Sequence, residues 1–471
     1  MKKLILFTCI LALLASLPAM GQKQAEKQKP PVGDAPKPFT LPAVERFTLP
    51  NGIQVALVPY GAVPKVEVLA VVKAGVLNES ADQVWLSNLN ALLMKEGTKK
   101  RSAKEVDETA AGMGGDLDIS ASGDVTNVSL DVLSEFGPQA AKLIAEVLQQ
   151  PLLPGSEVER LKGDLLRRLT VAKTQPGQLA LERFRQVLYP DHPYGRVFPT
   201  EDMLKKYTVD DVQKFYADNF GAKRTRIYVG GKFDRAAMRK TITDAFKDWK
   251  PGSDPVVNIP KPVAKHTIEQ IERAGAPQST LYVGLPVIDP SNPDYIPLSV
   301  MNALLGGSFG SRITANIREA KGYTYSPFSQ VSSRYRDAYW VQVADVTTAH
   351  TGDSLKEIFY EINRLRSEPP TAAELDGIKN YIGGTFVIQN SSRNGLLNYL
   401  SYVDTHGLGD KYMENFVKNV HAVTPAQVQE MAKKYIDPDK MAVVVVGDKQ
   451  QVTAQLAPFE GQGAGAGSKV K

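Results

Sequence analysis

The sequence predicts an α+β protein of two tandem homologous domains, each a largely antiparallel sheet with helices packed on one face. Two internal repeats indicate the duplication. Residues 86–93 read Leu-Ser-Asn-Leu-Asn-Ala-Leu-Leu and residues 298–305 read Leu-Ser-Val-Met-Asn-Ala-Leu-Leu, an offset of 212 (298 − 86). Thr208 and Thr424 each begin a Thr-x-x-x-Val-Gln segment that leads to a strand-like run, an offset of 216 (424 − 208). Two matches in order, at nearly one spacing, indicate a repeated unit of roughly 210 residues.

Within each half, alternation and β-branched residues predict strands, while apolar residues at helical spacing predict helices. Ser102 and Glu105 form a predicted capping box that begins a helix, and this helix stops at Gly114-Gly115. Thr208 and Thr424 are predicted N-caps, because a hydroxyl there can accept from free backbone N–H groups. The remaining predicted elements are strands at 53–59, 66–74, 116–122, 127–133, 226–230 and 441–447, and helices near 84–94, 137–149 and 156–173.

The ends of the chain differ in composition from its middle. Lys2 and Lys3, an apolar run and a small-x-small site at 19–21 are typical of a cleaved secretory signal peptide, with an uncleaved anchor as the alternative. The predicted segments are a signal peptide at 1–21, a flexible linker at 22–42, domains at 43–250 and 265–460 with a proline-rich linker at 251–264 between them, and a flexible tail at 461–471.

Composition narrows the possible functions. The net charge of +5 is spread along the chain without a dense Lys/Arg stripe, so nucleic acid is not an expected partner. The single cysteine, Cys9, lies inside the predicted signal peptide, which excludes disulfides, a cysteine nucleophile and thiolate metal sites from the mature chain. No later stretch approaches the roughly 20 apolar residues of a membrane span. The expected location is the periplasm.

A long phrase in the second half carries the main functional signal. Residues 306–326 read Gly-Gly-Ser-Phe-Gly-Ser-Arg-Ile-Thr-Ala-Asn-Ile-Arg-Glu-Ala-Lys-Gly-Tyr-Thr-Tyr-Ser. Together with phrases at 95–98, 114–115 and 189–195, this segment resembles the pitrilysin/insulinase-type metallopeptidases, the inverzincin family that includes the mitochondrial processing peptidases. The resemblance covers essentially all of residues 43–455, and it implies a chamber that binds peptides.

The resemblance also implies a zinc motif, His-x-x-Glu-His, in the first half. Positions i and i+4 of a helix share one face, so two imidazoles can bind one Zn²⁺ while the Glu acts as general base. Here the corresponding positions are Asn88, Ala91 and Leu92, and a further Glu ligand falls at or next to Arg168, whose guanidinium would repel the ion. None of the five histidines lies three or four residues from another. We therefore expect no metal in this chain, and a plain amphipathic helix at 84–94.

The second half does contain the pair of hydrogen-bond donors that the resemblance implies. In family members with the full apparatus, an Arg and a Tyr seven residues apart reach the peptide held at the zinc, and Arg318 and Tyr325 have that spacing (325 − 318 = 7). A guanidinium and a phenol can both donate to a peptide carbonyl or the developing oxyanion. Tyr323 is the nearest competing tyrosine, but the family commonly has an aliphatic residue at its position. The alternative is a surface ion pair for Arg318 and a packed Tyr325.

A second surviving feature is the strand that follows Gly114. In the family, the equivalent edge strand pairs with the substrate backbone, which makes Gly115, Asp116, Leu117 and Asp118 candidate substrate-binding residues. An ordinary sheet strand is the alternative. The phrase at 189–195 is interpreted as a structural turn, with His192 packed rather than functional.

These observations predict the zinc-free subunit of a heteromeric zinc metallopeptidase. Its partner would be a homologous chain with the zinc motif, and its substrate a peptide or unfolded polypeptide. Zinc-hydroxide would attack the peptide carbonyl, with metal, water and base supplied by the partner, so this chain should be inactive alone. The alternative is a non-catalytic peptide-binding or structural protein of the same fold. A third possibility is an independent hydrolase of another type, but it would need a nucleophile and a base that are not recognisable in this sequence.

Overall fold

The computed structural model describes residues 40–460. The predicted signal peptide, most of the linker at 22–42 and the tail at 461–471 lie outside the described residues, and Leu41, at the linker's end, is buried. Within residues 40–460, no helix combines the length and the apolar composition needed to cross a membrane.

The first half forms a six-stranded sheet in the order β1-β2-β6-β3-β5-β4. Its strands are β1 (Glu45–Thr48), β2 (Gln54–Pro59), β3 (Lys65–Val72), β4 (Leu117–Ala121), β5 (Thr126–Leu133) and β6 (Thr225–Gly231). Strand β2 runs parallel to β6, whereas every other pair in this sheet is antiparallel.

The second half repeats this sheet with five strands in the order β7-β11-β8-β10-β9. They are β7 (Thr267–Glu272), β8 (Gln278–Val287), β9 (Phe328–Arg334), β10 (Asp337–Thr347) and β11 (Ala442–Gly447). The pair β7–β11 is again parallel and the others are antiparallel. Removing β1 makes the two strand orders identical, so the predicted duplicated, largely antiparallel α+β fold is confirmed.

Fifteen α-helices of the described residues surround the two sheets. They are α1 (Leu86–Met94), α2 (Ala103–Gly112), α3 (Gly137–Gln149), α4 (Gly155–Thr174), α5 (Pro176–Leu188), α6 (Glu201–Lys206), α7 (Val209–Asn219), α8 (Arg235–Phe246), α9 (Tyr295–Asn302), α10 (Thr351–Ser367), α11 (Ala372–Gln389), α12 (Arg393–His406), α13 (Asp410–Ala422), α14 (Pro425–Tyr435) and α15 (Lys449–Leu456). Ser102, Thr208 and Thr424 each cap a helix within a capping box, as their sequences predict.

Each half lends one helix to the other half's sheet. Helix α5 packs on β8 and β11 of the second sheet, where Phe184 lies edge-on to Tyr339 with ring centroids 5.4 Å apart. Helix α12 packs on β3 and β6 of the first sheet and buries Leu400 there. The helices of one half thus cover one face of its own sheet, and the reciprocal helix covers the opposite face. The two halves are joined through both apolar layers.

The linker at 251–264 is held against the first half. Arg224 donates from Nε to the Ser253 carbonyl at 3.1 Å and from Nη2 to its hydroxyl at 2.8 Å. His192 is buried, with Nε2 at 3.1 Å from the Asn258 carbonyl oxygen, and burial lowers its pKa. The phrase at 189–195 is therefore a packed junction, in keeping with its structural interpretation.

Candidate functional site

Arg318 and Tyr325 lie side by side on the surface of the second half. Arg318 belongs to a π-helical turn, Thr314–Ala320, and Tyr325 precedes β9 by three residues. The guanidinium carbon of Arg318 lies 4.8 Å from the centroid of the Tyr325 ring, within the range of cation–π attraction. Tyr325 is 77% exposed and the Arg318 side chain 24%. The fold therefore brings together the two side chains that the sequence singles out, and leaves the phenol open to solvent.

The neighbouring Tyr323 has a different environment. Its ring stacks on His350, with centroids 4.4 Å apart and planes 16° from parallel. Its backbone N–H donates to the Ile317 carbonyl at 2.8 Å, and its carbonyl accepts from Thr347 N–H at 2.9 Å. Tyr323 is thus an anchor of the segment, and Tyr325 is the tyrosine that remains available to a ligand.

An ion pair and two side-chain hydrogen bonds hold the π-helical turn in place. Arg312 makes a bidentate pair with Glu374 of α11, at 2.7 and 2.9 Å, and this hydrogen bonding lowers the pKa of the Glu374 carboxyl. The Asn316 amide donates to Glu357 at 3.0 Å and to Glu361 at 2.9 Å, both on α10. Because bidentate pairs fix orientation as well as distance, the backbone that carries Arg318 is preorganised.

Two further residues contact Arg318 that the sequence pattern did not identify. The Phe309 ring centroid lies 4.4 Å from its guanidinium carbon, and Glu319 forms an ion pair with it, with Oε1 at 3.1 Å from Nε. Phe309 is 69% exposed. A large aromatic residue between Gly307 and Gly310 was the available signal, because such loop positions more often carry small or polar residues.

The positions of the zinc motif do not fit a metal ion. Leu86, Leu89 and Leu93 are buried, as the plain amphipathic helix predicts. Ala91 is also buried, and Asn88 and Leu92 are half-buried on the same helix. None of the three positions offers an imidazole, thiolate or carboxylate.

Arg168 lies over the aromatic ring that precedes α1. Its guanidinium carbon is 5.3 Å from the Trp85 centroid, so a cation lies near the position where the family has its further Glu ligand. Across residues 40–460, no group of three His, Cys, Asp or Glu side chains is arranged to hold a metal.

A buried carboxylate stabilises the start of α1 instead. Glu79 accepts from the backbone N–H groups of Trp85 at 3.1 Å and Ser87 at 2.8 Å, and from the Ser87 hydroxyl at 2.5 Å. Burial raises the pKa of the Glu79 carboxyl to about 7, although these hydrogen bonds oppose the shift. Glu79 thus caps the helix, a role that sequence spacing could not show because it lies seven residues before Leu86.

Strand β4 forms one edge of the first sheet. It alternates buried Leu117 and Ile119 with exposed Asp118, and β5 is its one strand partner among residues 40–460. Gly115 precedes it where a Cβ atom would lie 2.6 Å from the Asp131 carbonyl oxygen, so packing alone requires glycine there. Lys95 pairs with Asp118 at 3.4 Å. The strand has a free edge for an extended chain, and its substrate role stays a prediction.

Two family models match most of the folded chain. "Insulinase (Peptidase family M16)" matches residues 55–198, and "Peptidase M16 inactive domain" matches residues 206–382. The chain belongs to the M16 peptidase family. The resemblance seen in the sequence is therefore confirmed. The zinc-motif positions carry no metal-binding side chain. Together with the family match, this describes an inactive, peptidase-like M16 protein.

Curated M16 relatives align over most of their length. An uncharacterized zinc protease YmxG of Bacillus subtilis is 22% identical, over 84% of this chain and 96% of its own. A non-peptidase homolog YmxG of Helicobacter pylori is 22% identical, over 79% and 86%. A probable mitochondrial-processing peptidase subunit beta of Arabidopsis thaliana is 23% identical, over 88% and 80%.

Solved structures share the M16 fold. A peptidase M16 inactive domain from Pseudomonas fluorescens superposes with a TM-score of 0.78 at 24% identity, covering 86% of this chain and 98% of its own. A protease from Helicobacter pylori gives 0.80 at 19%, covering 87% and 100%. A chain of Complex III2 from Candida albicans gives 0.73 at 16%, covering 87% and 97%.

Proposed function

We propose that this M16 chain is the zinc-free subunit of a heteromeric zinc peptidase. The observation that supports this most strongly is an asymmetry within the chain. Arg318 and Tyr325 are held together and exposed, whereas the zinc-motif positions Asn88, Ala91, Leu92 and Arg168 carry no metal ligand. A donor pair without a metal of its own is useful when another chain presents the peptide.

Arg318 and Tyr325 would act on the peptide carbonyl group. The guanidinium and the phenol are both hydrogen-bond donors, and negative charge develops on the carbonyl oxygen as the bond is attacked. Donors fixed before the reaction stabilise that charge without reorganising, and the contacts of Arg312 and Asn316 beneath the π-helical turn would fix Arg318 in this way. The partner supplies the metal ion, its water and the general base.

The proposed partner is a homologous subunit with an intact His-x-x-Glu-His motif. The two chains would enclose a peptide between them, with the free edge of β4 available to pair with an extended chain. The N-terminal sequence supports placing this assembly in the periplasm, as a heterodimer or a larger complex of the two subunits.

A non-catalytic peptide-binding or structural protein is the second candidate. It is favoured by the shared fold with a chain of Complex III2 from Candida albicans, a protein named for an assembly rather than for cleavage. This reading gives Arg318 and Tyr325 no role in turnover, which makes the two candidates separable by mutation.

The test is reconstitution. The purified chain, a homologous zinc-motif subunit from the same organism, and their mixture are assayed for cleavage of a fluorogenic peptide library. We expect turnover from the mixture, loss of turnover on chelation, and none from this chain alone. Chelator-sensitive cleavage by the isolated chain would refute the subunit role. A mixture that cleaves equally well with Arg318→Ala and with the unsubstituted chain would support the structural candidate.

A further inference from the structure

Phe309 is an exposed aromatic side chain on a loop whose neighbouring residues are buried. The loop 308–311 follows the π-helical turn Ala303–Gly307, and in it Phe309 is 69% exposed. Its neighbours Ser308 and Ser311 are buried. A Cβ atom on Gly307 would lie 2.5 Å from the Asn302 amide nitrogen, so the loop base is packed against the core. Phe309 is therefore held in an exposed position by its surroundings.

The anchor of this loop is a buried hydrogen-bond cluster around Asn302. Its Oδ1 accepts from the indole N–H of Trp340 at 2.8 Å and from the Ser329 hydroxyl at 2.7 Å. Trp340 is fully buried on β10, and Ser329 lies on β9. The cluster ties the loop to two strands of the second sheet, which restrains the position of Phe309.

Phe309 and Tyr325 both contact the same cation. The Arg318 guanidinium carbon lies 4.4 Å from one ring centroid and 4.8 Å from the other. Rings at this distance attract a guanidinium and leave its N–H groups, which lie in its plane, able to donate. A long, flexible side chain is thereby confined to few rotamers, which lowers the entropic cost of using it as a donor.

The fold itself does not require an aromatic residue at this place. At the repeat offset of 212, position 309 falls on Gly97 of the first half (309 − 212 = 97). The equivalent segment of the first half thus folds without an aromatic side chain. A single exposed apolar side chain needs no explanation, but Phe309 and Tyr325 are 69% and 77% exposed and contact the same guanidinium, so together they form one apolar surface around a donor.

We infer that Phe309 is a positioning and specificity residue, which restrains Arg318 and packs against a large apolar side chain of the substrate next to the cleaved bond. The inference rests on the proposed function and names the class of peptide that the site takes. With Tyr325, Phe309 provides an apolar surface beside the donors. A peptide with Leu or Phe beside the bond would cover this surface, whereas one with Ser would leave it exposed to solvent.

The test compares two peptides in the reconstituted complex, identical except for Leu or Ser beside the cleaved bond. Phe309→Ala is expected to lower kcat/KM about tenfold for the Leu peptide and about twofold for the Ser peptide. Phe309→Leu should retain most of the preference. Val63→Ala, which removes an exposed apolar side chain from the first half, is the matched control and should leave both values unchanged.

A second readout needs neither partner nor turnover. In the isolated chain, the Nε–H resonance of Arg318, assigned by its loss in Arg318→Lys, should shift in Phe309→Ala as the ring current is removed.

Equal losses of kcat/KM for the two peptides in Phe309→Ala would overturn the specificity role. An unchanged Arg318 resonance would overturn the positioning role. If Arg318→Ala lowers turnover while Phe309→Ala leaves both peptides unaffected, the inference fails and the proposed function stands. If Arg318→Ala itself has no effect, the proposed function fails.

Discussion

The two halves of the chain share one sheet order but end their equivalent helices differently. Asn90 in α1 and Asn302 in α9 correspond at the repeat offset of 212 (302 − 90). Helix α1 ends at Met94 in a well-packed segment, whereas α9 continues into a π-helical turn and the loop that presents Phe309. The same scaffold thus ends this helix at Met94 in the first half and continues it into a loop with an exposed aromatic side chain in the second.

A later pair of equivalent helices differs in its exposed side chains. Buried Lys162 and Lys379 mark one position in α4 and α11, an offset of 217 (379 − 162). The exposed side of α4 carries an ion-pair network centred on Arg160. On α11, Tyr381 and Ile388 are 50% and 73% exposed. Helix α4 has one large exposed apolar side chain, Val171 at 60%, beside its ion pairs, whereas α11 has three.

The largest expected effect separates the arginines of the two halves. In the reconstituted complex, Arg318→Ala should lower kcat on the order of 10²–10³-fold, because one donor to the developing oxyanion is lost. Arg168→Ala, at the former ligand position of the first half, should change kcat less than about twofold, since Arg168 contacts Trp85 and no reacting group. Similar losses from the two substitutions would remove the distinction between the halves.

The next effect concerns the anchor of the open loop. Asn302→Leu leaves the Trp340 indole and the Ser329 hydroxyl without their acceptor, which should lower the free energy of unfolding by about 3 kcal/mol. Urea denaturation of the isolated chain measures this change in the free energy of unfolding. The same variant should lose turnover in the complex, because the loop carrying Phe309 is released. Full stability would show that the cluster is not an anchor.

A pH effect is expected from the first half. Because burial raises the pKa of Glu79 to about 7, the folded chain binds a proton that the unfolded chain releases near its ordinary carboxyl value. Stability from this group is thus greatest at low pH and declines as the pH rises towards 7, by about 2 kcal/mol between roughly pH 5.5 and 7.

Glu79→Gln tests that assignment, since the amide oxygen can still accept from the Ser87 N–H and the side chain cannot ionise, although the acceptor for the Trp85 N–H is lost. Thermal or urea unfolding at several pH values should show a flatter profile for Glu79→Gln. An unchanged slope would assign the pH dependence to other buried acids, such as Asp337, whose pKa burial also raises.

The smallest effect is expected at Asn90, the counterpart of Asn302. Its Oδ1 is buried with no hydrogen-bond partner in the described part of the chain, and its amide reaches the Met94 sulfur at 3.5 Å. Asn90→Leu replaces this poorly satisfied group by an apolar one of similar size, so stability should change by less than about 1 kcal/mol or increase. A loss as large as that of Asn302→Leu would contradict the comparison.

Local sequence signals predicted the duplicated fold and part of its elements by position. Helix α2 begins after Ser102 and α14 after Thr424, because a hydroxyl followed three residues later by Glu or Gln satisfies backbone donors within one turn. The strands β2 and β11 were visible as β-branched runs. Such signals are complete within a few residues, which is why they could be recognised without tertiary information.

The site was predicted in part. The spacing of Arg318 and Tyr325 identified both side chains, but Phe309 lies nine residues before Arg318 and meets it only because a loop folds back. Glu79 was missed for a similar reason, since its carboxylate becomes a cap only after residues 80–84 turn it towards α1. Contacts made across loops have no fixed spacing in sequence.

The sequence by itself determined the duplication, part of the secondary structure and the loss of zinc ligands, because repeats, caps and residue types are local properties. Only the tertiary structure decided which sheet each helix covers. The apolar residues of α5 and α12 predict burial without naming a sheet, and α5 buries Phe184 in the second half while α12 buries Leu400 in the first. An apolar face specifies that burial will occur, while chain connectivity and packing choose the surface against which it occurs.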